Sequence, residues 1–216
     1  MKKYDIALFD LDGTISASAQ GIKYCIQQTL DKMGKPHPDL SDYSKYIGPP
    51  LLHTFQKLCG LDEVEAQQAV EIYVKLYDVD GLKQNKLFDG IEEVLSACRE
   101  NGIRIAVCSS KHEKIATKVV ELLGVYDYFD KICGSTIDGS RKKKEELIPY
   151  SLEKLGANSR QKVVMIGDTS FDAIGAKICG VDFIGVTYGY GKKEDMEKCG
   201  AKVFADTPQN LHNYLF

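Results

Sequence analysis

Short runs of apolar residues recur along this chain, and segments with helical periodicity separate them. Continuous apolar runs of strand length, joined through helices, are typical of buried parallel strands that are covered on both faces. The pattern therefore predicts an α/β fold with a doubly wound parallel sheet. The predicted strands are IALF (6–9), IRIAVC (103–108), KICG (131–134), VVMIG (163–167), DFIGV (182–186) and KVFA (202–205).

One connection is too long for a simple crossover between strands. Roughly ninety residues without a strand pattern separate the first two predicted strands, far more than a single βαβ unit needs. We expect a helical insertion, with residues 1–16 and 84–216 forming the core and residues 17–83 forming a cap. Further helices are predicted at 90–100, 113–123, 145–155 and 171–178 in the core, and in the cap before Gly34, around 51–58 and after an N-cap at Asp62.

Composition narrows the choice of partners and compartment. The chain has 28 basic and 31 acidic residues in 216, a formal net charge of −3, whereas binding to a phosphate backbone requires a basic excess. Seven cysteines without metal-ligand spacing do not describe a disulfide framework. Asp5 and Asp10 interrupt the apolar residues near the start of the sequence, and the longest apolar runs are of strand length, so we expect no targeting or membrane-spanning segment. We therefore expect a cytoplasmic protein with no nucleic-acid or membrane partner.

Polar residues follow three of the predicted strands. Asp10 and Asp12 come directly after IALF, Ser109 follows IRIAVC, and Asp168 follows VVMIG with Asp172 four residues later. Ligands of open parallel sheets bind beyond the carboxyl ends of the strands, so these side chains are expected at one edge. The convergence makes this edge the candidate site.

Carboxylates at two strand ends are suited to metal-assisted chemistry on a phosphate ester. Asp10 and Asp168 can hold Mg²⁺ between them, because this cation prefers oxygen ligands and retains water positions. Asp10 is then the candidate nucleophile, and Asp12 the candidate acid and base that serves the leaving oxygen and the hydrolytic water.

Phosphate needs hydrogen-bond donors opposite the carboxylates. The hydroxyl of Ser109 is one candidate. The amides of Ser110 and Lys111 are others, since we expect them to open a helix whose dipole favours anions.

Positive charge is expected from the RKKK segment at 141–144. Lys144 precedes Ile148 by four residues and so shares the inward face of the following helix, which Lys142 and Lys143 do not. Pro149 is expected near the first turn of that helix. Whether Lys142 or Lys143 replaces Lys144 as the phosphate partner stays open at this point.

Each motif also has a simpler explanation. Asp12 with Gly13 is a common turn pair, Asp168 or Thr169 can cap a helix, and Ser109 can do the same. Their order at strand ends favours the functional interpretation. The GVTYGYG segment (185–191) is expected to form a turn beside the site, and the loop at 46–50 either joins cap helices or contacts substrate.

Taken in order, FDLDGT, the strand-end Ser109, Lys144 and GDTSFD resemble the four motifs of the haloacid dehalogenase superfamily. The helical insertion, KYIGPPLLHTF (45–55) and GVTYGYG are similar to its phosphoglycolate phosphatase-like branch. The resemblance implies a Mg²⁺-dependent enzyme, with the following roles: Asp10 as nucleophile and metal ligand, Asp12 as acid, base and backbone metal ligand, Ser109 and Lys144 as phosphate binders, and Asp168 as metal ligand with Asp172 in support. We also expect Ser110 to bind the phosphate and Thr14 to support the site.

The expected function is hydrolysis of small-molecule phosphate monoesters, such as phosphoglycolate or a nucleoside monophosphate, by a monomer or homodimer. A phosphomutase and a protein-tyrosine phosphatase are alternatives within the superfamily. A phosphate-binding regulatory module without catalysis is the alternative from another class.

Overall fold

A computed structural model of the chain describes residues 2–136 and 140–216, apart from the side chains of residues 43 and 44. The strands in these ranges are β1 (Ile6–Phe9), β2 (Arg104–His112), β3 (Lys131–Ser135), β4 (Val163–Gly167), β5 (Asp182–Val186) and β6 (Phe204–Ala205). They form one parallel sheet in the order β3-β2-β1-β4-β5-β6. The predicted doubly wound α/β fold is confirmed.

Strand β1 lies at the centre of the sheet and is buried along its whole length. Leu8 is registered with Ala106 of β2 on one side and with Met165 of β4 on the other. Leu147 and Ile148 pack onto this part of the sheet. Burial on both faces explains why the strand is a continuous apolar run.

The helices of the core are α4 (Ile91–Glu100), α5 (Glu113–Leu122), α6 (Lys144–Lys154), α7 (Ser170–Cys179), α8 (Lys193–Lys198) and α9 (Leu211–Leu215). The inserted part contains α1 (Ala19–Lys32), α2 (Leu51–His53) and α3 (Glu63–Leu76). The chain divides into two compact units, Met1–Ala17 with Leu87–Phe216, and Ser18–Lys86. Where the core chain leaves and returns, Ser16 lies opposite Leu87, and the Phe88 amide donates to the Ile15 carbonyl over 3.2 Å.

The helical unit follows local sequence signals closely. Asp62 caps α3 in a capping box, because its side chain accepts from the Glu65 amide while the Glu65 side chain accepts from the Asp62 amide. Gly34 adopts a φ of +63° just after α1. The short middle helix changes its hydrogen-bonding pattern along its length, since the α-helical residues of α2 are followed directly by a π-helical segment, Thr54–Leu58. A second π-helical segment, Tyr77–Gly81, continues α3.

The expectation that Ser110 and Lys111 open a helix is wrong. Strand β2 continues through them, and α5 begins only at Glu113. After a shift in register, pairing with β3 resumes where His112 lies opposite Ser135. Non-local pairing with β3 therefore sets the end of this strand.

Pro149 also lies elsewhere than expected, in the interior of α6 rather than near its first turn. A proline there cannot donate to the carbonyl four residues earlier, which belongs to Glu145. That carbonyl instead lies 3.7 Å from the Cys179 thiol, which donates to it. Helix α7 thus replaces part of what Pro149 removes from α6.

Across the described ranges, every helix is too short or too polar to cross a membrane. All seven cysteines belong to the described part of the chain, and each is a free thiol.

Candidate active site

Asp10 and Asp168 lie at the ends of β1 and β4, the two adjacent strands between which the strand order reverses direction, a topological switch point. Asp10 follows β1, and its amide donates to the Ile166 carbonyl of β4 over 2.8 Å. Asp168 follows β4 and is fully buried, while only 8% of Asp10 is exposed. The crevice at the carboxyl ends of adjacent strands on either side of such a switch point is the usual ligand site of this architecture.

Asp172 completes a group of three buried carboxylates. One oxygen each of Asp10, Asp168 and Asp172 lies within 4.8 Å of the others. Asp172 stands in the first turn of α7, where its Oδ2 accepts from the amide and hydroxyl of Thr169 over 3.1 and 2.8 Å. The capping arrangement at the start of α7 therefore also aims Asp172 at the site.

Lys144, the first residue of α6, supplies the opposing charge. Its Nζ lies 2.8 Å from Asp10 Oδ1 and 2.6 Å from Asp172 Oδ1, and it donates to the Cys108 carbonyl over 2.6 Å. Two carboxylate oxygens and one carbonyl oxygen thus surround the ammonium. Lys144 is 3% exposed, whereas Lys142 and Lys143 are exposed.

The cluster holds three carboxylates against one ammonium, so its ionised form carries two uncompensated negative charges. Burial raises the pKa of Asp10 to about 6, although Lys144 opposes the shift. Burial, and then the charges of Asp10 and Asp172, raise the pKa of Asp168 well above its usual range. Burial acts to lower the pKa of Lys144, but Asp10 and Asp172 outweigh it and raise that pKa. Lys144 therefore stays charged.

Asp168 is held by backbone donors and leaves one oxygen for a ligand. Its Oδ2 accepts from the amides of Tyr190 and Gly191 over 2.7 and 3.2 Å. Its Oδ1 is buried and accepts no hydrogen bond from the described residues. A buried carboxylate oxygen without a donor, in a cluster short of two positive charges, fits a divalent cation with oxygen ligands.

Glycines pack against the cluster where a side chain would collide with it. A Cβ added at Gly13, Gly189 or Gly191 would overlap Asp168, and Gly13 also has a φ of +88°. The GVTYGYG segment thus supplies two amides that donate to Asp168 and two glycines whose backbone packs closely against it. Its last glycines are required by space rather than by turn geometry alone.

Asp12 does not join the carboxylate cluster through its side chain. Instead, Lys111 Nζ donates to both of its oxygens, over 2.8 Å to Oδ2 and 3.1 Å to Oδ1. The side chains of Asp12 and Lys111 are 15% and 11% exposed. They form a second, separate ion pair at the same edge of the sheet.

The remaining predicted site residues lie close to these groups in the chain. Ser109 is 2% exposed, and its Oγ accepts from the Lys111 amide over 3.3 Å. Ser110 follows in β2 and is partly exposed. Thr14 is buried, and its carbonyl accepts from the Tyr188 hydroxyl over 3.0 Å. Its Oγ1 has no hydrogen-bond partner among the described residues.

The sequence analysis missed two kinds of group at the site: the backbone amides that bind Asp168 and the side chain of Lys111. Backbone donors such as those of Tyr190 and Gly191 leave no signature in residue type. Lys111 did leave one, because residues two apart in a strand share a face and Lys111 lies two after Ser109. That signal depends on recognising that β2 continues past Cys108.

Residues 7–186 match the haloacid dehalogenase-like hydrolase family. The chain belongs to this family, as the four motifs indicated. A crystal structure of a predicted phosphatase from Clostridium acetobutylicum superposes with a TM-score of 0.91 at 36% identity, covering 98% of this chain and 97% of that one.

Among characterised relatives, a 5'-nucleotidase of Pseudomonas aeruginosa is 39% identical over 90% of this chain and 87% of its own length. Tyrosine-protein kinase PtkA of Mycobacterium tuberculosis is 35% identical over 92% of this chain and 67% of its own. A phosphoglycolate phosphatase of Aquifex aeolicus is 30% identical over 87% and 86%. The expected membership of the haloacid dehalogenase superfamily is confirmed. The relatives include phosphoglycolate phosphatases, in agreement with the resemblance to that branch.

Proposed function

We propose that this chain is a Mg²⁺-dependent phosphatase that hydrolyses small-molecule phosphate monoesters through an aspartyl-phosphate on Asp10. The observation that carries the proposal is the placement of Asp10, within 4.8 Å of the Asp168 and Asp172 carboxylates and 2.8 Å from Lys144. The names of the 5'-nucleotidase and phosphoglycolate phosphatase relatives support the same reaction class.

In the first step, an Asp10 oxygen attacks phosphorus and the bond to the leaving oxygen breaks. Asp12 gives a proton to that oxygen, so the product leaves as an alcohol. In the second step, water attacks the phosphorus of the aspartyl-phosphate and gives a proton to Asp12. The bond to Asp10 breaks, and inorganic phosphate is released.

The charge around Asp10 permits this attack. Bound Mg²⁺, for which Asp10, Asp168 and the Asp12 backbone are the proposed ligands, would supply the positive charge that an incoming phosphate requires. Lys144 neutralises part of the carboxylate charge, and an incoming phosphate oxygen would replace one of the three oxygens that now contact its ammonium. Ser109 and Ser110 are the proposed donors on β2, with Thr14 and Asp172 in support.

We assign the choice of substrate to the helical unit, Ser18–Lys86, acting as a cap. A phosphoglycolate-like ester and a nucleoside monophosphate are the two proposed substrate classes, in keeping with the relatives' names. A panel that also contains phosphotyrosine and sugar phosphates distinguishes them.

The test measures release of p-nitrophenolate and inorganic phosphate from p-nitrophenyl phosphate, with Mg²⁺ or with EDTA. We expect activity only with Mg²⁺, and none in Asp10→Asn or Asp168→Asn. Asp127→Asn changes an exposed carboxylate and serves as the matched control. Undiminished activity in Asp10→Asn would exclude the mechanism.

The same assay addresses the alternatives. A phosphomutase would return the phosphoryl group to substrate rather than release it, and a regulatory module would bind phosphate without turnover. A kinase like the PtkA relative would transfer the γ-phosphoryl group of ATP to tyrosine, which a peptide assay with labelled ATP detects.

A further inference from the structure

The ion pair between Lys111 and Asp12 is separate from the cluster of buried carboxylates that contains Asp10. The ammonium contacts both oxygens of the Asp12 carboxylate, over 2.8 and 3.1 Å, and solvent reaches little of either side chain. A cation that contacts both oxygens fixes the rotation of the carboxylate about its last bond. The ion pair therefore holds Asp12 in one orientation.

Two neighbouring strands bring these residues together. Asp12 lies in the tight turn after β1, where the Ser16 amide donates to the Leu11 carbonyl and the Gly13 amide to the Ser16 carbonyl. Lys111 lies in the part of β2 that runs past Cys108, where the register with β3 shifts. Its amide contacts Ser109 while its side chain contacts Asp12.

Lys144 does not perform this task. Its ammonium already lies within 2.8 Å of oxygens of Asp10, Asp172 and the Cys108 carbonyl. The two buried or nearly buried lysines of this edge thus serve different carboxylates: Lys144 serves the nucleophile and Lys111 serves the acid and base.

We propose that Lys111 is the positioning residue for Asp12 in the second half of the reaction, the hydrolysis of the aspartyl-phosphate. The water oxygen forms its bond to phosphorus, a water proton passes to an Asp12 oxygen, and the bond between phosphorus and Asp10 breaks with its electrons returning to that carboxylate. Lys111 holds Asp12 where it receives the proton. This inference rests on the proposed phosphatase function.

Removal of the ammonium should slow the second step and spare the first. Lys111→Met keeps the length and apolar stem of the side chain but loses its charge. With p-nitrophenyl phosphate, whose leaving group needs little protonation, we expect kcat to fall roughly 10- to 100-fold, the loss expected when a base is misplaced. A burst of about one p-nitrophenolate per enzyme should precede slow turnover, and intact-protein mass spectrometry should detect a phosphorylated chain.

The control variants separate positioning from general damage. Lys114→Met removes an exposed lysine at the start of α5 and should leave kcat unchanged. Lys111→Arg, which keeps a cation able to contact both oxygens, should retain more turnover than Lys111→Met. In an Asp12→Asn background, Lys111→Met should cause little further loss, because both changes remove the same function. Lys111→Gln replaces Lys111→Met if the latter does not fold.

Three results would overturn the inference while leaving the phosphatase proposal intact. One is an unchanged kcat in Lys111→Met, and another is loss of the burst together with turnover, which would indicate a structural or phosphate-binding role. The third is a full additional loss in the Asp12→Asn background. Failure of the unaltered protein to hydrolyse any ester would instead refute the proposed function itself.

Discussion

Lys144 illustrates how strongly one residue constrains this site. It is 3% exposed and lies between Asp10 and Asp172, so its loss would leave two carboxylates facing each other in the core. Breaking a buried ion pair on one side typically costs several kcal/mol, because the remaining charge is uncompensated.

We therefore expect Lys144→Met to lower the free energy of unfolding of the metal-free protein at pH 7 by about 3 kcal/mol or more. Urea denaturation measures the change. Lys143→Met removes a neighbouring lysine whose side chain is 62% exposed and should change stability by less than ~0.5 kcal/mol. Equal losses in the two variants would contradict the assignment of Lys144 to the core.

Residue-level prediction from sequence succeeded where a periodic signal existed. Helical phase placed Lys144 inward, and the end of a strand placed Asp10 and Asp168 at one edge. It failed for the side chain of Lys111, because Ser109, Ser110 and Lys111 form a polar stretch that reads as the end of a strand. The backbone amides that donate to Asp168 could not be predicted from residue type, since every residue except proline supplies an amide.

At the scale of elements, the contact between α6 and α7 determines the position of Lys144 in the site. Gly175 of α7 lies against Lys144, and a Cβ added at Gly175 would overlap the Lys144 side chain and approach its backbone. Because Lys144 begins α6, any shift of that helix displaces the ammonium from Asp10.

Gly175→Ala tests this contact by the sign of its effect. Within a helix, replacing glycine with alanine ordinarily stabilises by about 0.5–1 kcal/mol. Here we expect overpacking to reverse the sign and lower stability by about 1–3 kcal/mol, with reduced phosphatase activity. Thermal unfolding and the p-nitrophenyl phosphate assay provide the measurements. A rise in melting temperature would show that α6 and α7 accommodate the methyl group without cost.

Elements with strong local signals were predicted closely, as IALF and VVMIG show for strands and the Asp62 capping box shows for helices. Elements whose limits depend on distant partners were not. Strand β2 extends because of its pairing with β3, and α6 tolerates Pro149 where the Cys179 thiol contacts the Glu145 carbonyl. Neither partner is adjacent in sequence.

For the molecule as a whole, the buried carboxylates couple stability to pH and to metal. The pKa of Asp10 is raised to about 6 and that of Asp168 is raised well above its usual range, so the folded metal-free protein retains protons that the unfolded chain releases. This contribution is fully present below the unfolded pKa, near 4, and is lost as pH rises through the folded pKa.

The metal-free protein should therefore lose stability from these groups between about pH 4 and pH 7, on the order of a few kcal/mol. Mg²⁺ should restore it, and more strongly at pH 7.5 than at pH 5, because it displaces protons from the same oxygens. Melting temperatures with EDTA and with Mg²⁺ at both pH values test this. Asp168→Asn should show a weaker pH dependence and a smaller Mg²⁺ effect; an identical response in the variant would argue against Asp168 as a ligand.

At this scale, the sequence predicted the sheet because its strands are continuous apolar runs separated by segments with helical periodicity. The substrate could not be predicted in the same way, because the residues of the helical unit, to which we assign its choice, carry no motif whose chemistry identifies a ligand. The relatives illustrate the difficulty, because proteins similar to this chain over most of its length are named 5'-nucleotidase in one case and phosphoglycolate phosphatase in another.

The central position of β1 also bears on the order of events during synthesis. Ile6 is registered with Arg104 and Val163, partners about a hundred and about one hundred and sixty positions downstream, whereas Ser18–Lys86 is a continuous segment. The helical unit can complete its own contacts while the nascent strand β1 still lacks both neighbours. Asp10, the proposed nucleophile at the end of β1, is thus among the first residues made and among the last to reach its final surroundings.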